Sequence, residues 1–388
     1  MYAMHTGISS HKIDVLVIGG GLAGCATAWF LAREGVAVAL VERDDLNMQA
    51  SGANAGGFHA QIPHLTYMEE GEAWAKAFAP VVPMLVDGIR LWTTMETELQ
   101  ADLDCHIGGG VLIADTDAQM QDIARRMKIE HAVGLEIYAL TRDELRALAP
   151  YASDQMVGGC FCPTEGKANP LKATRAFAQR AEELGAVILR QTEVLGIAER
   201  TNGYEVMTSR GMLRPVRVVN CAGADAGRIA AMLGICIGIQ GFPIQVSVTA
   251  PVEPFTKHLV YAAGHRLTLK QAVNGTILIG GGWPARMRGA EAVVDLDALR
   301  GNLAVARHVV PLVGHAELVR SWAAIVNGTA DWKPIIGEAP GHRGFFFNLF
   351  PWTGFTAGPI SAQVISELIL GRKPCIDIAR LSALGIAA

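Results

Sequence analysis

A glycine pattern near the start restricts the fold of this chain more than any other feature. Gly19-Gly20-Gly21-Leu22-Ala23-Gly24 fits G-x-G-x-x-G; it follows an apolar run, Ile13–Ile18, and opens a helical stretch, Leu22–Glu34, that stops at Gly35. A second apolar run, Val36–Val41, ends in Glu42, about 20 residues beyond the glycines, where a ribose partner belongs. Strand, glycine turn, helix and strand in this order make a βαβ unit that binds a dinucleotide. Gly19 allows the tight turn, Gly21 lets backbone approach a pyrophosphate, and Gly24 lets helix and strand pack closely. The free N–H groups at the helix start, around Leu22 and Ala23, favour an anion. Glu42 accepts from a ribose hydroxyl and repels a 2′-phosphate, which argues against NADP; Arg43 flanks it. A bare glycine turn without a ligand is the bland alternative, and the full context sets it aside.

The rest of the chain bounds what surrounds this unit. With 388 residues, 51% of them hydrophobic, it can bury a large core, and two interleaved domains are expected. A net charge of −4 offers no basic field for nucleic acid. The seven cysteines are scattered and complete no metal set, so no metal is expected; free thiols in a cytoplasmic setting are the plain reading. The start of the chain lacks an apolar signal-like segment, and the run from Val15 to Leu31 is broken by glycines, so no membrane span is expected.

Further elements follow from pattern. Glu70–Gln100 reads as helical but split near Pro80 and Pro83; Ala118–His131, Arg142–Leu148, Leu171–Leu184, Asp295–His308 and Gly358–Leu370 read as helices. Strands alternate over Glu193–Val219 around Asn202-Gly203 and Arg210-Gly211, and over Phe242–Gly280 with a turn at Asn274-Gly275.

Several segments carry a resemblance. Gly24, Ala28, Leu31, Gly35, Val38 and Glu42 resemble the extended fingerprint of FAD-binding flavoproteins. The small-residue loop Ser51 to Gly57 (including Asn54, Ala55 and Gly56) resembles a second flavin segment, and Cys221-Ala222-Gly223 resembles the strand end over the flavin's ADP part. Gly166 to Leu171, Ile277 to Gly282, Thr329 to Gly337 and Gly354-Phe355-Thr356 continue the match in order. Together they resemble the D-amino acid oxidase superfamily, which includes glycine and sarcosine oxidases, and within it the β subunits of hetero-oligomeric opine and sarcosine oxidases.

That resemblance implies an α/β fold: a Rossmann-type FAD-binding domain (1–80, 150–235 and 325–388) with an inserted mixed-sheet substrate domain (81–149 and 236–324). It implies FAD as cofactor, with Val194 also near it, and hydride transfer from the amine-bearing carbon to the flavin, giving an imine that water hydrolyses. It further implies a larger α-type subunit docking near Lys167–Leu171, a small iron–sulfur subunit, and FMN at a subunit interface. The other expectations are a stand-alone glycine or D-amino acid oxidase using oxygen, a flavin-carrying assembly subunit without its own catalysis, and, last, an NAD-dependent dehydrogenase.

Two departures stand out. Where many relatives carry an arginine for the substrate carboxylate, this chain has Ile325-Val326-Asn327, and where some carry a flavin-linking cysteine it has Ala323 and Ala324. The flavin is therefore expected to be non-covalent. The substrate carboxylate is expected on Arg266, Lys270 or His59, although solvation on a strand face is the default for the first two. Trp352 and Trp332 flank the C-terminal segment Gly354-Phe355-Thr356, and are expected either as a substrate wall or as core packing.

Overall fold

The computed structural model describes residues 12–378. Strand β1 (Ile13–Ile18) lies in the middle of a six-stranded sheet. It pairs in parallel with Pro215–Asn220 on one side and with β2 (Val38–Val41) on the other. Val187–Leu189 extends the sheet beyond β2; Phe345–Leu349 and the antiparallel Ile335–Glu338 extend it beyond Pro215–Asn220. A central parallel strand is covered on both faces, which explains its unbroken apolar run. Val15 and Val17 point to one buried cluster, Leu16 and Ile18 to another.

The first cluster is roofed by helix α1 (Leu22–Arg33), packed between Pro170–Glu183 and Gly354–Ile369. The second is covered by a three-stranded antiparallel sheet, Val194–Arg200, Gly203–Thr208 and Gly211–Leu213. Its hairpins turn at the two glycine sites expected from sequence, Gly203 and Gly211, which hold φ of 133° and 122°.

An eight-stranded mixed sheet forms the other half. Its longest pairing joins Gln240–Thr249 to Leu318–Gly328, and its one parallel pair joins Gly110–Ala114 to Leu259–Ala262. Two segments sit across the sequence division. Gly158–Cys162, expected in the nucleotide half, pairs with Gly110–Ala114 and Tyr138–Thr141 in the larger sheet. Val82–Leu99, expected in the substrate half, packs on Gly354–Ile369 in the nucleotide half. Sequence order could not assign either, because each is placed by the apolar face that it buries.

The expected split helix begins earlier, at His64. It breaks at Ala79–Val81 beside the prolines, and kinks again at Gly71, where φ is 85°. Among the described residues, no helix is long and apolar enough to cross a membrane.

Candidate active site between the two sheets

The glycine turn forms one wall of a cavity of about 810 Å³. Here the expected glycine roles acquire distances. A Cβ on Gly24 would lie 1.9 Å from the Gly19 carbonyl oxygen, so any side chain there separates α1 from the turn. Gly19 holds φ of 112°, and a Cβ on it would lie 2.5 Å from the Cys221 carbonyl oxygen. Above Gly21 only the Ser51 hydroxyl intervenes, at 2.8 Å, and Ser51 Oγ accepts from the Leu22 N–H at 2.9 Å.

Glu42 lines the same cavity and accepts from the Gly20 N–H at 2.6 Å, which ties the end of β2 to the turn. Beside it Arg43 forms an ion pair with Asp225 at 2.8 Å. Ala23, Val194, Cys221, Ala222, Gly223 and Gly354 line the remaining walls. Ala323 and Ala324 line it too, so no thiol stands at those two positions.

A second cavity, of about 770 Å³, shares Asn54, Trp352 and Phe355 with the first. Asn54 shapes the loop between them: its amide donates to the Ala50 and Ser51 carbonyls, and its oxygen accepts from the Gly56 N–H at 2.6 Å. Ala55, Gly56 and Gly57 line the second cavity. Gly56 has φ of 75°, and a Cβ there would lie 2.1 Å from the Ala168 carbonyl oxygen and 2.7 Å from Lys270 Nζ.

Phe355 packs against Phe58 and Trp92, and Trp92 Nε1 donates to the carbonyls of Phe355 and Thr356 at 3.2 and 3.1 Å. The start of the helix Gly354–Ile369 is thereby held against the cavity. Trp352 is stacked on Trp332, with ring centroids 4.8 Å apart, and its buried Nε1 has no hydrogen-bond partner among the described residues. It is thus both wall and packing residue.

The candidate carboxylate partners separate here. Arg266 and Lys270 line the same cavity, but only Arg266 is solvated, at its mouth, where it meets the Gly282 carbonyl at 3.3 Å and Glu69 at 3.5 Å. The expected solvated face fails for Lys270, which is 3% exposed and makes no hydrogen bond or ion pair among the described residues. Burial, and then the charge of Lys167, hold its ammonium well below the usual lysine range. Lys167 corrects another expectation. It is buried and donates to the Gln271 carbonyl, so it presents no charge to a partner chain; Leu171 beyond it is exposed.

His59 donates its backbone N–H to Thr356 Oγ1 at 2.9 Å, and its Nδ1 lies 2.8 Å from the Tyr261 hydroxyl. Burial, and then the charge of Lys270, push the imidazole down to about 4. That shift favours a neutral ring, which can still hydrogen-bond a substrate group.

Behind it lies a polar network that sequence reasoning missed. Tyr261 donates to Glu165 at 2.9 Å, and Glu165 also accepts from Ala60, Gln61 and the Gln61 amide at 2.7, 2.9 and 2.9 Å. Gln61 in turn accepts from Arg126 at 2.9 Å, and Arg126 lies 3.4 Å from Glu130. These residues come from separated segments, and none stands in a local pattern that marks it.

Comparisons with known proteins agree with this arrangement. Residues 14–368 match the family model described as FAD dependent oxidoreductase (DAO), and the chain belongs to that family. Among its curated relatives is a glycine oxidase of Geobacillus kaustophilus, 27% identical, covering 96% of this chain and 97% of that protein. The beta subunit of a sarcosine oxidase from Rhizobium meliloti is 26% identical, over 93% and 85%. The B-type subunit of an opine oxidase from the same species is 26% identical, over 96% and 97%. Among solved structures, the G. kaustophilus glycine oxidase superposes with a TM-score of 0.84 at 24% identity, covering 96% of this chain and 98% of that one; this likeness shows the fold.

The chain is therefore an FAD-dependent oxidoreductase with the expected fold. The residues present fit the cofactor: the turn admits no side chain, a helix N-terminus faces the cavity, and Glu42 remains within it.

Proposed function

We propose that this chain oxidises the C–N bond of an amino-acid-derived amine, and that its preferred substrate is a secondary amine of the opine kind. The observation that carries this reading is Lys270, a buried amino group with no ion-pair partner among the described residues, beside the Gly56 loop and in the second cavity. A substrate carboxylate supplies the missing charge and restores the ammonium's, taking the part of the absent arginine.

When bound, FAD supplies the hydride acceptor. Gly19, Gly21, Leu22 and Ala23 hold its pyrophosphate, while Glu42 and Arg43 flank the ribose. Ser51, Asn54 and the Ala55-Gly56-Gly57 loop, with Val194 and Cys221-Ala222-Gly223, line its path. Gly354, Phe355 and Thr356 present a helix start to the ring, where negative charge develops on reduction. With Ala323 and Ala324 at the linking positions, the flavin is non-covalent, and acid precipitation should leave a colourless pellet.

The sarcosine oxidase and opine oxidase relatives, each described as one subunit of its enzyme, support a partnered enzyme; the partners we propose are a larger α-type subunit, with FMN at the interface, and a small iron–sulfur subunit as electron carrier. The seven free thiols suit a cytoplasmic setting. A second reading, a stand-alone glycine-type oxidase, is favoured by the glycine oxidase match over 97% of that relative.

Anaerobic titration of the holoenzyme with opines, sarcosine, glycine and D-amino acids decides between them. Bleaching by N-substituted acids at the lowest concentrations supports the first reading, and bleaching by glycine alone supports the second. Reduction by no amine would leave a flavin-carrying assembly subunit.

A further inference from the structure

We infer that His59 is the hydrogen-bond acceptor for the substrate's amine N–H, through Nε2, in a tautomer set by Tyr261 and Glu165. The inference rests on the amine-oxidising reading above and deepens it.

The tautomer follows from where each hydrogen can go. Glu165 is fully buried, and burial holds its carboxyl above the usual range although three N–H donors, from Ala60, Gln61 and the Gln61 amide, act in the opposite direction. With both oxygens occupied by N–H groups, the carboxylate is an acceptor toward its fourth neighbour, the Tyr261 hydroxyl at 2.9 Å. Tyrosine has one hydroxyl hydrogen, and it points to Glu165. The Tyr261 oxygen can then only accept from His59 Nδ1, at 2.8 Å. Nδ1 therefore carries the ring hydrogen, and Nε2 keeps a bare lone pair.

That lone pair stands in the cavity. A Cβ on Gly57 would lie 2.9 Å from His59 Nε2, as one on the preceding Gly56 would lie 2.7 Å from Lys270 Nζ. An acceptor and an amino group thus reach the same glycine pair, the two-point pattern that an α-amino acid in its amine form requires. One acceptor suits one N–H. A neutral secondary amine donates its single N–H to Nε2 and keeps its nitrogen lone pair. When hydride leaves the adjacent carbon, that lone pair becomes the C=N bond, and no proton moves. A primary amine leaves its second N–H without this partner.

The test uses the FAD-loaded enzyme. With [15N]histidine labelling, the His59 ring, assigned by its loss in His59→Gln, should show hydrogen on Nδ1 and a bare Nε2. Tyr261→Phe should disturb that pattern. Hydrogen on Nε2 in the wild type overturns the inference. In anaerobic titrations, His59→Leu should weaken binding of the secondary amine roughly tenfold, the size of a lost hydrogen bond, and do so less for the matching primary amine. Tyr261→Phe should follow in the same direction with normal FAD content, which covers the case in which His59→Leu does not load. Unchanged amine binding in both variants removes this inference alone, whereas failure of every amine to reduce the wild-type flavin removes the proposed function with it.

Discussion

The two cavities meet at Trp352 and Phe355, yet they are built on different principles. Around the glycine turn the walls are backbone, drawn from β1, α1 and the end of β2, and the constraint is that side chains be absent. Around His59 and Lys270 the walls are side chains from the larger sheet and from the loop before His64, with Glu165 behind Tyr261, brought together only by folding. One region binds through local geometry, the other through assembly. The first should therefore break all at once, and the second residue by residue.

The largest expected effect lies in the first region. Gly24→Val places atoms where a Cβ alone would already lie 1.9 Å from the Gly19 oxygen, against backbone that has nowhere to go. We expect complete loss of FAD, measured as flavin absorbance per protein. A yellow Gly24→Val protein would mean that the turn tolerates side chains and that the two regions differ less than their walls suggest.

Next comes Lys270→Gln in the second region. Removal of a charge-assisted hydrogen bond, worth about 1.5–3 kcal/mol, should raise the apparent constant for a carboxylate-bearing amine by one to two orders of magnitude. FAD content should stay normal. Equal losses with an amine lacking the carboxylate would show that Lys270 acts on something other than that group.

A smaller effect belongs to His64, which is 6% exposed, lines the second cavity and, among the described residues, has no hydrogen-bond partner on either ring nitrogen. Burial, and then the charge of Arg126, push it down to about 3, against an ordinary value of 6.5. The folded state keeps the ring neutral while the unfolded chain takes up a proton below about 6.5. Stability is thus lost as pH falls from that value toward 3. His64→Phe, which cannot be protonated, should gain in melting temperature relative to wild type on going from pH 7.5 to pH 5. A constant difference between the two would show that His64 titrates normally.

Arg266 should matter least. At the mouth, half-exposed and only weakly bound to Glu69, its replacement by Ala should change the apparent substrate constant less than about threefold, since such pairs contribute about 0–1 kcal/mol. A loss as large as that of Lys270→Gln would move the carboxylate to the cavity entrance.

The sequence by itself determined the dinucleotide half in detail. Ile13–Ile18 is the strand expected, the helix ends at Arg33 beside Gly35, and Gly19 and Gly24 stand at the close approaches expected of them. This was legible because a tight turn, a positive φ and a close helix crossing are demands on neighbouring residues, and only glycine meets them. The Asn202-Gly203 and Arg210-Gly211 hairpins were readable for the same reason. Only the tertiary structure decided which half owns Gly158–Cys162 and Val82–Leu99, that Lys270 is buried while Arg266 is solvated, and that Tyr261 and Glu165 stand behind His59. Alternation along a strand tells which residues share a face but not what covers that face. Burial lowers the proton affinity of Lys270 and His59, and burial is a property of segments far apart in the chain.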